Sequence, residues 1–180
     1  MMGMVFTELF DMVEEKFSLD MVDGVIERSG SRGSYTSVGN YPDEELVRVV
    51  VALSETTGIA VPDLLYAYGT HLFGRFVTLF PGFFVAHQSA ASFLVGLESH
   101  VHTEVRKLYA TARPPLFTFE AEPDGRLILE YRSNRGLWKF AHGLLEACLA
   151  HYGSQHRVNA MIDLSEGAGT HVRFELEPVA

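Results

Sequence analysis

The sequence predicts an α+β fold in which a run of helices precedes a four-stranded antiparallel sheet. Three observations carry that expectation. From Val5 to Tyr109 apolar residues recur at helical intervals, and beyond Tyr109 the period changes to that of strands. The strand-like runs then fall into two pairs, each around a turn signal, with one helical segment between them. At 180 residues the chain fits one domain, 1–180, long enough to bury a sizeable core and to divide into two lobes.

Val5, Phe6, Leu9, Phe10, Val13 and Phe17 predict a first helix over Met4–Phe17, and a shorter one follows over Leu19–Arg28. Ser29 to Pro42, rich in Ser and Gly, reads as an irregular connection; without a Lys-Ser/Thr after its glycines or a strand leading in, it is no phosphate loop. Asp43-Glu44-Glu45 places negative charge at the start of the next helix, Leu46, Val49, Val50 and Leu53 give it a buried stripe, and Gly58 closes it. Val61-Pro62-Asp63 opens another helix, whose Leu64, Leu65, Tyr68, Leu72, Phe73 and Phe76 lead to Phe80-Pro81. Gly69 and Gly74 within it each cost about 1 kcal/mol relative to Ala. Close approach of a helix or a flat ligand would justify them, and so would a loose or kinked helix. Phe80, Phe83 and Phe84 read as plain core.

From Gln88 an amphipathic helix carries Leu94, Leu97, Val101, Val105 and Leu108 on one face. His102 shares an edge with Val95, Val105 and Tyr109 and points inward; His100, among Gly96, Thr103, Glu104 and Lys107, faces solvent. Two residues apart, they cannot grip one ion together. Leu116–Glu120 and Leu127–Ser133 flank Pro123-Asp124-Gly125 as a hairpin. Leu137, Phe140, Ala141, Leu144, Leu145 and Cys148 then form a helical face. A second hairpin spans Val158–Leu164 and His171–Leu176 around Glu166-Gly167-Ala168-Gly169.

Composition narrows the function. A hydrophobic share of 47% with 21% charged residues describes a folded globule, and a net charge of −9 argues against a nucleic-acid partner. The single cysteine, Cys148, rules out an internal disulfide framework and any Cys-x-x-Cys site. Neither a signal peptide nor a charge-free stretch of membrane-spanning length is visible, so a soluble cytoplasmic protein with no membrane partner is expected. His71, His87, His142, His151, His156 and His171 are scattered without metal-binding spacing.

Two features carry chemistry. His102 is a lone inward histidine, a residue type more often satisfied by a carbonyl or carboxylate in a core than bound to a metal. Tyr131, Ser133 and Arg135 fall on one edge of the strand-like run at i, i+2 and i+4, offering two hydroxyls and a guanidinium fork to one anionic object, beside a helix beginning near Gly136. One reading is a cavity binding a fatty acyl chain or other carboxylate through Arg135. Another is a hydrolase with His102 as base and Glu98 or Glu104 as its orienter, although no Gly-x-Ser-x-Gly elbow accompanies it.

Tyr131-x-Ser133-x-Arg135, preceded by Pro115 and by a helix of pattern Leu-x-x-x-Val-His-x-x-Val-x-x-x-Tyr, resembles the haem nitric oxide/oxygen binding family, H-NOX, which includes the sensor domain of soluble guanylate cyclase. The resemblance implies an N-terminal helical lobe and a C-terminal lobe of sheet and helices, with haem b, ferrous iron protoporphyrin IX, between them. It makes His102 the proximal iron ligand, gives the propionates to Tyr131, Ser133 and Arg135, and sets Pro115 against the haem. Val5, Leu9, Leu72, Phe76, Val101, Phe140 and Leu144 complete the cofactor-binding set. Oxygen-binding members carry a distal tyrosine where Phe140 stands, so the resemblance implies a nitric oxide sensor that discriminates against oxygen, with carbon monoxide a weaker ligand. Such a protein is not an enzyme: nitric oxide weakens or breaks the His102–iron bond, and the signal passes to a histidine kinase or cyclic-di-GMP enzyme. The Met1-Met2-Gly3 start departs from the basic second residue of bacterial stand-alone members.

Overall fold

A computed structural model describes residues 1–109 and 112–179, with Leu108 described in its backbone alone, so its expected place on the apolar face lies outside the described side chains. The helices are α1 (Gly3–Lys16), α2 (Leu19–Ser29), α3 (Asp43–Thr57), α4 (Val61–Leu79), α5 (Pro81–Val85), α6 (Ala90–Gly96), α7 (His102–Leu108) and α8 (Trp138–His151). Strands β1 (Leu116–Ala121), β2 (Leu127–Arg132), β3 (His156–Asp163) and β4 (His171–Pro178) form one antiparallel sheet of order β1-β2-β4-β3. This is the mixed helix-and-sheet architecture that the change of period at Tyr109 predicts.

Local chemistry sets the boundaries. The Ser18 hydroxyl accepts the Met21 N–H at the start of α2, and Gly58 ends α3 in the left-handed conformation at φ 75°, where a side chain would be strained. The connection through residues 30–42 has no regular structure but is pinned by the buried Glu45, whose Oε1 accepts the Arg32 N–H at 3.0 Å and the Tyr35 hydroxyl at 2.7 Å. Tyr35 in turn stacks on Phe6 of α1, ring centroids 4.4 Å apart. Among the described residues no single helix is long and apolar enough to cross a membrane; α3 and α4 meet at 114°.

Burial divides into two clusters. The first joins α1, α2, α3 and α4 around Phe6, Leu9, Val49, Leu53, Tyr68 and Leu72. The second sandwiches Leu145, Cys148 and Leu149 of α8 against the inner face of the sheet, where Leu129 and Tyr131 of β2 lie beside Val172, Phe174 and Leu176 of β4, and it takes in Phe84, Phe93 and Leu94. Phe76 and Leu144 pack against both clusters. The two halves meet where α4 crosses α8 with backbones in near contact: a Cβ on Gly69 would run into the Phe140 carbonyl, and one on Gly143 into the Tyr66 carbonyl. Close helix approach therefore explains Gly69. Nothing approaches Gly74 within 4 Å.

Pro81–Val85 forms a further short helix, since Pro81 at its first turn loses no hydrogen bond and presets φ. Two sequence expectations need correction. The helix expected from Gln88 starts at Ala90, capped by the Ser89 hydroxyl, and is interrupted by a π-turn over Leu97–Val101. The extra residue rotates the later helical turns relative to the earlier ones, so Val95 is 63% exposed and shares no edge with His102. Finally, β2 ends at Arg132, Asn134 and Arg135 lie in a turn, and α8 begins at Trp138 instead of near Gly136, whose φ of 65° reverses the chain. Tyr131, Ser133 and Arg135 are therefore not a continuous strand edge.

Candidate functional site

Between the two clusters lies a cavity of about 270 Å³. His102, Tyr131, Ser133, Arg135, Pro115, Val5, Leu72, Phe76, Val101, Phe140 and Leu144 all line it. Leu9 does not; it is 1% exposed within the first cluster. Met1, Met2, Met4 and Asn40 also reach the cavity, without a sequence signal to separate them from ordinary N-terminal core.

His102 follows the π-turn directly and its side chain is 12% exposed. Its Nδ1 lies 2.7 Å from Glu98 Oε1. Burial pushes the His102 pKa down and outweighs the pull of Glu98 upward, so the imidazole is neutral near pH 7 and donates its Nδ1 proton to the carboxylate. The free lone pair then sits on Nε2. Glu98 Oε1 also accepts the Phe117 N–H at 3.1 Å, and Oε2 accepts from Arg106 Nη2 at 3.1 Å. Burial raises the Glu98 pKa, but these bonds together with His102 hold it below the usual carboxylate value. Four-residue spacing was the available sequence signal for this pair.

The second polar corner joins both halves of the chain. Arg135 Nε donates to Asp43 Oδ2 at 2.7 Å, and Nη1 donates to the Arg113 carbonyl. Burial raises the Asp43 pKa, and the chain's amino group at Met1, 2.7 Å away, with Arg135 brings it below its ordinary value. The fork is thus partly engaged already, and among the described residues Nη2 has no acceptor. Tyr131 is 2% exposed, and burial raises its pKa against the opposing pull of the Ser133 hydroxyl, the Leu137 N–H and Arg135, which keeps it a phenol. Tyr131 and Ser133 line the same cavity as Arg135.

On the first-cluster side, the Val5, Leu72, Phe140 and Leu144 side chains carry no donor. Phe140 stacks on Tyr68, centroids 5.1 Å apart, and the fully buried Tyr68 hydroxyl is committed to the Val5 carbonyl. Cys148 lines the cavity as a thiol, its pKa pushed up to about 12 by burial, as expected of a packing residue. Among the described residues no group of three His, Cys, Asp or Glu side chains could hold a bare metal ion. A metal at His102 must therefore bring its remaining ligands with it, as a porphyrin does.

A model of the haem-NO-binding family matches residues 2–160. The chain belongs to the H-NOX family. An H-NOX protein from K. algicida in the unliganded Fe(II) state is 34% identical, with a TM-score of 0.90 covering 99% of this chain and 96% of that one. The H-NOX from Shewanella woodyi, bound to IWP-051 in the Fe(II)CO state, is 33% identical, with a TM-score of 0.84 over 99% of this chain and 94% of that one. An H-NOX protein from S. oneidensis in the Fe(II)NO state shares the fold at 24% identity, with a TM-score of 0.90 and 99% coverage of both chains. No curated protein matches the chain. H-NOX domains are haem-based gas sensors whose cofactor is haem b. The donor set fits that group: one neutral imidazole nitrogen, a largely carbon-lined cavity, and a cationic, hydroxyl-bearing corner.

Proposed function

We propose that this H-NOX domain is a nitric oxide sensor that discriminates against oxygen and reports through weakening of the His102–iron bond to a separate effector. The observation that carries the reading is the contrast between the cavity's walls: a tautomerically fixed imidazole on the sheet side, and a donor-free surface of Val5, Leu72, Phe140 and Leu144 on the α1/α4/α8 side. His102 Nε2 would ligate the iron. Tyr131, Ser133 and Arg135 would hold the propionates, and Pro115 and Val101 with the surrounding apolar side chains would grip the porphyrin and exclude water. Haem bound there would supply a ferrous iron able to take a diatomic gas.

Selectivity follows from what the wall lacks. Oxygen gathers negative charge on its outer atom as it binds and is retained by a hydrogen-bond donor; nitric oxide needs none. Phe140 offers no hydroxyl, and Tyr68 behind it is already bonded. Carbon monoxide, the ligand of the S. woodyi relative, is the weaker gas here. Residues 1–180 act as one unit, since β4, beyond the family match, lies between β2 and β3. The domain is a sensor without catalysis of its own, located in the cytoplasm of a bacterium, and a histidine kinase or cyclic-di-GMP enzyme receives its signal. Replacing His102 by Gly tests the ligand: ferrous protein is expected to lose its parent Soret spectrum and regain it with added imidazole. An unchanged spectrum in the variant overturns the assignment.

A further inference from the structure

We propose that Glu98 is a positioning residue for His102, fixing its tautomer and strengthening Nε2 as a donor to iron. The inference rests on the haem-sensor reading and deepens it.

Glu98 lies within the π-turn, and three groups from two elements, α7 and β1, converge on its carboxylate. His102 Nδ1 stands 2.7 Å from Oε1, the Phe117 N–H of β1 donates to the same oxygen at 3.1 Å, and Arg106 of α7 donates to Oε2 at 3.1 Å. The Thr103 hydroxyl bonds the Glu98 carbonyl at 3.0 Å, which holds the turn itself. A carboxylate so anchored cannot swing away from the imidazole. It also pulls on the Nδ1 proton harder than a neutral carbonyl would, and the electron density it displaces appears at Nε2. The iron bond that nitric oxide must weaken is therefore strengthened by a side chain four residues earlier. Arg106 moderates this: its positive charge on Oε2 withdraws part of the negative charge that Oε1 would otherwise lend to His102.

The two partners should act in opposite senses, which separates electronic tuning from damage to packing. The test is resonance Raman of the iron–histidine stretch in the gas-free ferrous holoprotein, with the midpoint reduction potential measured alongside. Glu98→Gln is expected to lower the stretching frequency, raise the potential and weaken His102 ligation by roughly 10- to 100-fold, with Glu98→Asp recovering part of each change. Arg106→Gln, at a side chain 45% exposed, is expected to move frequency and potential the other way. If haem-loaded variants leave both readouts at the parent value, or if both substitutions move them in the same direction, Glu98 has no tuning role and the sensor reading stands. A parent protein that takes up no haem overturns both.

Discussion

In the proposed sensor, the gas preference is assigned to an atom that Phe140 lacks. Phe140→Tyr restores a donor to the wall and should slow oxygen dissociation by about 10- to 100-fold, the equivalent of 1.5–3 kcal/mol for a hydrogen bond to a charged acceptor; stopped-flow release measurements would read it, and unchanged kinetics would remove Phe140 from the gas-facing wall. Away from the cavity, Glu130 accepts from Arg173, His171 and Arg132, and Arg173 and His171 lead in drawing its pKa down to about 2. A depressed carboxyl pKa contributes stability above the ordinary value of 4.5 that disappears as the pH falls through about 2. Glu130→Gln should therefore cost about 1 kcal/mol at pH 7, with the gap in urea midpoint closing as acid is added. A gap independent of pH would mean that the charge is not what stabilises. At this scale the sequence was legible for single residues that reach the cavity, as His102 and Phe140 do. Asp43, 92 positions from Arg135, left no local trace of their pairing.

Helix periodicity locates α1, α3 and α4 within a residue or two, because each buries one continuous apolar face. It fails at the π-turn, where one extra residue breaks the period and resets which side chains face inward. The alternation read through Tyr131, Ser133 and Arg135 fails for a related reason: the chain leaves the sheet at Arg132 to begin the turn into α8, and three residues of accidental alternation hide the exit. Glycines inside α4 look alike in sequence and differ in the fold. Gly69→Ala should cost about 1–3 kcal/mol by forcing α4 from α8 and should disturb Phe140, whose carbonyl it meets. Gly74→Ala, into open space, should instead gain up to about 1 kcal/mol from helix propensity. Thermal denaturation of the two variants distinguishes them, and equal losses would refute the close crossing.

The whole molecule is two cores with a cavity between them, bridged by Phe76, Leu144, the α4–α8 crossing and the Arg135–Asp43 ion pair. Such a cavity offers apolar surface to a flat hydrophobic group, so haem, binding the folded state, should raise the unfolding temperature progressively as free haem exceeds its dissociation constant. The mixed α+β arrangement was foreseeable from the change of period at Tyr109, but the border between the two cores falls within α4, whose Phe73 already belongs to the second, and the long-range contacts that set it are encoded by no spacing. The most direct test of gas selectivity is the absorption spectrum of the reduced, haem-loaded protein, first under air and then with one equivalent of nitric oxide. Air is expected to leave no oxygenated spectrum, and nitric oxide to shift the Soret band at once. A stable oxygenated spectrum, or no response to nitric oxide, would contradict a nitric oxide sensor built on His102 and a donor-free wall.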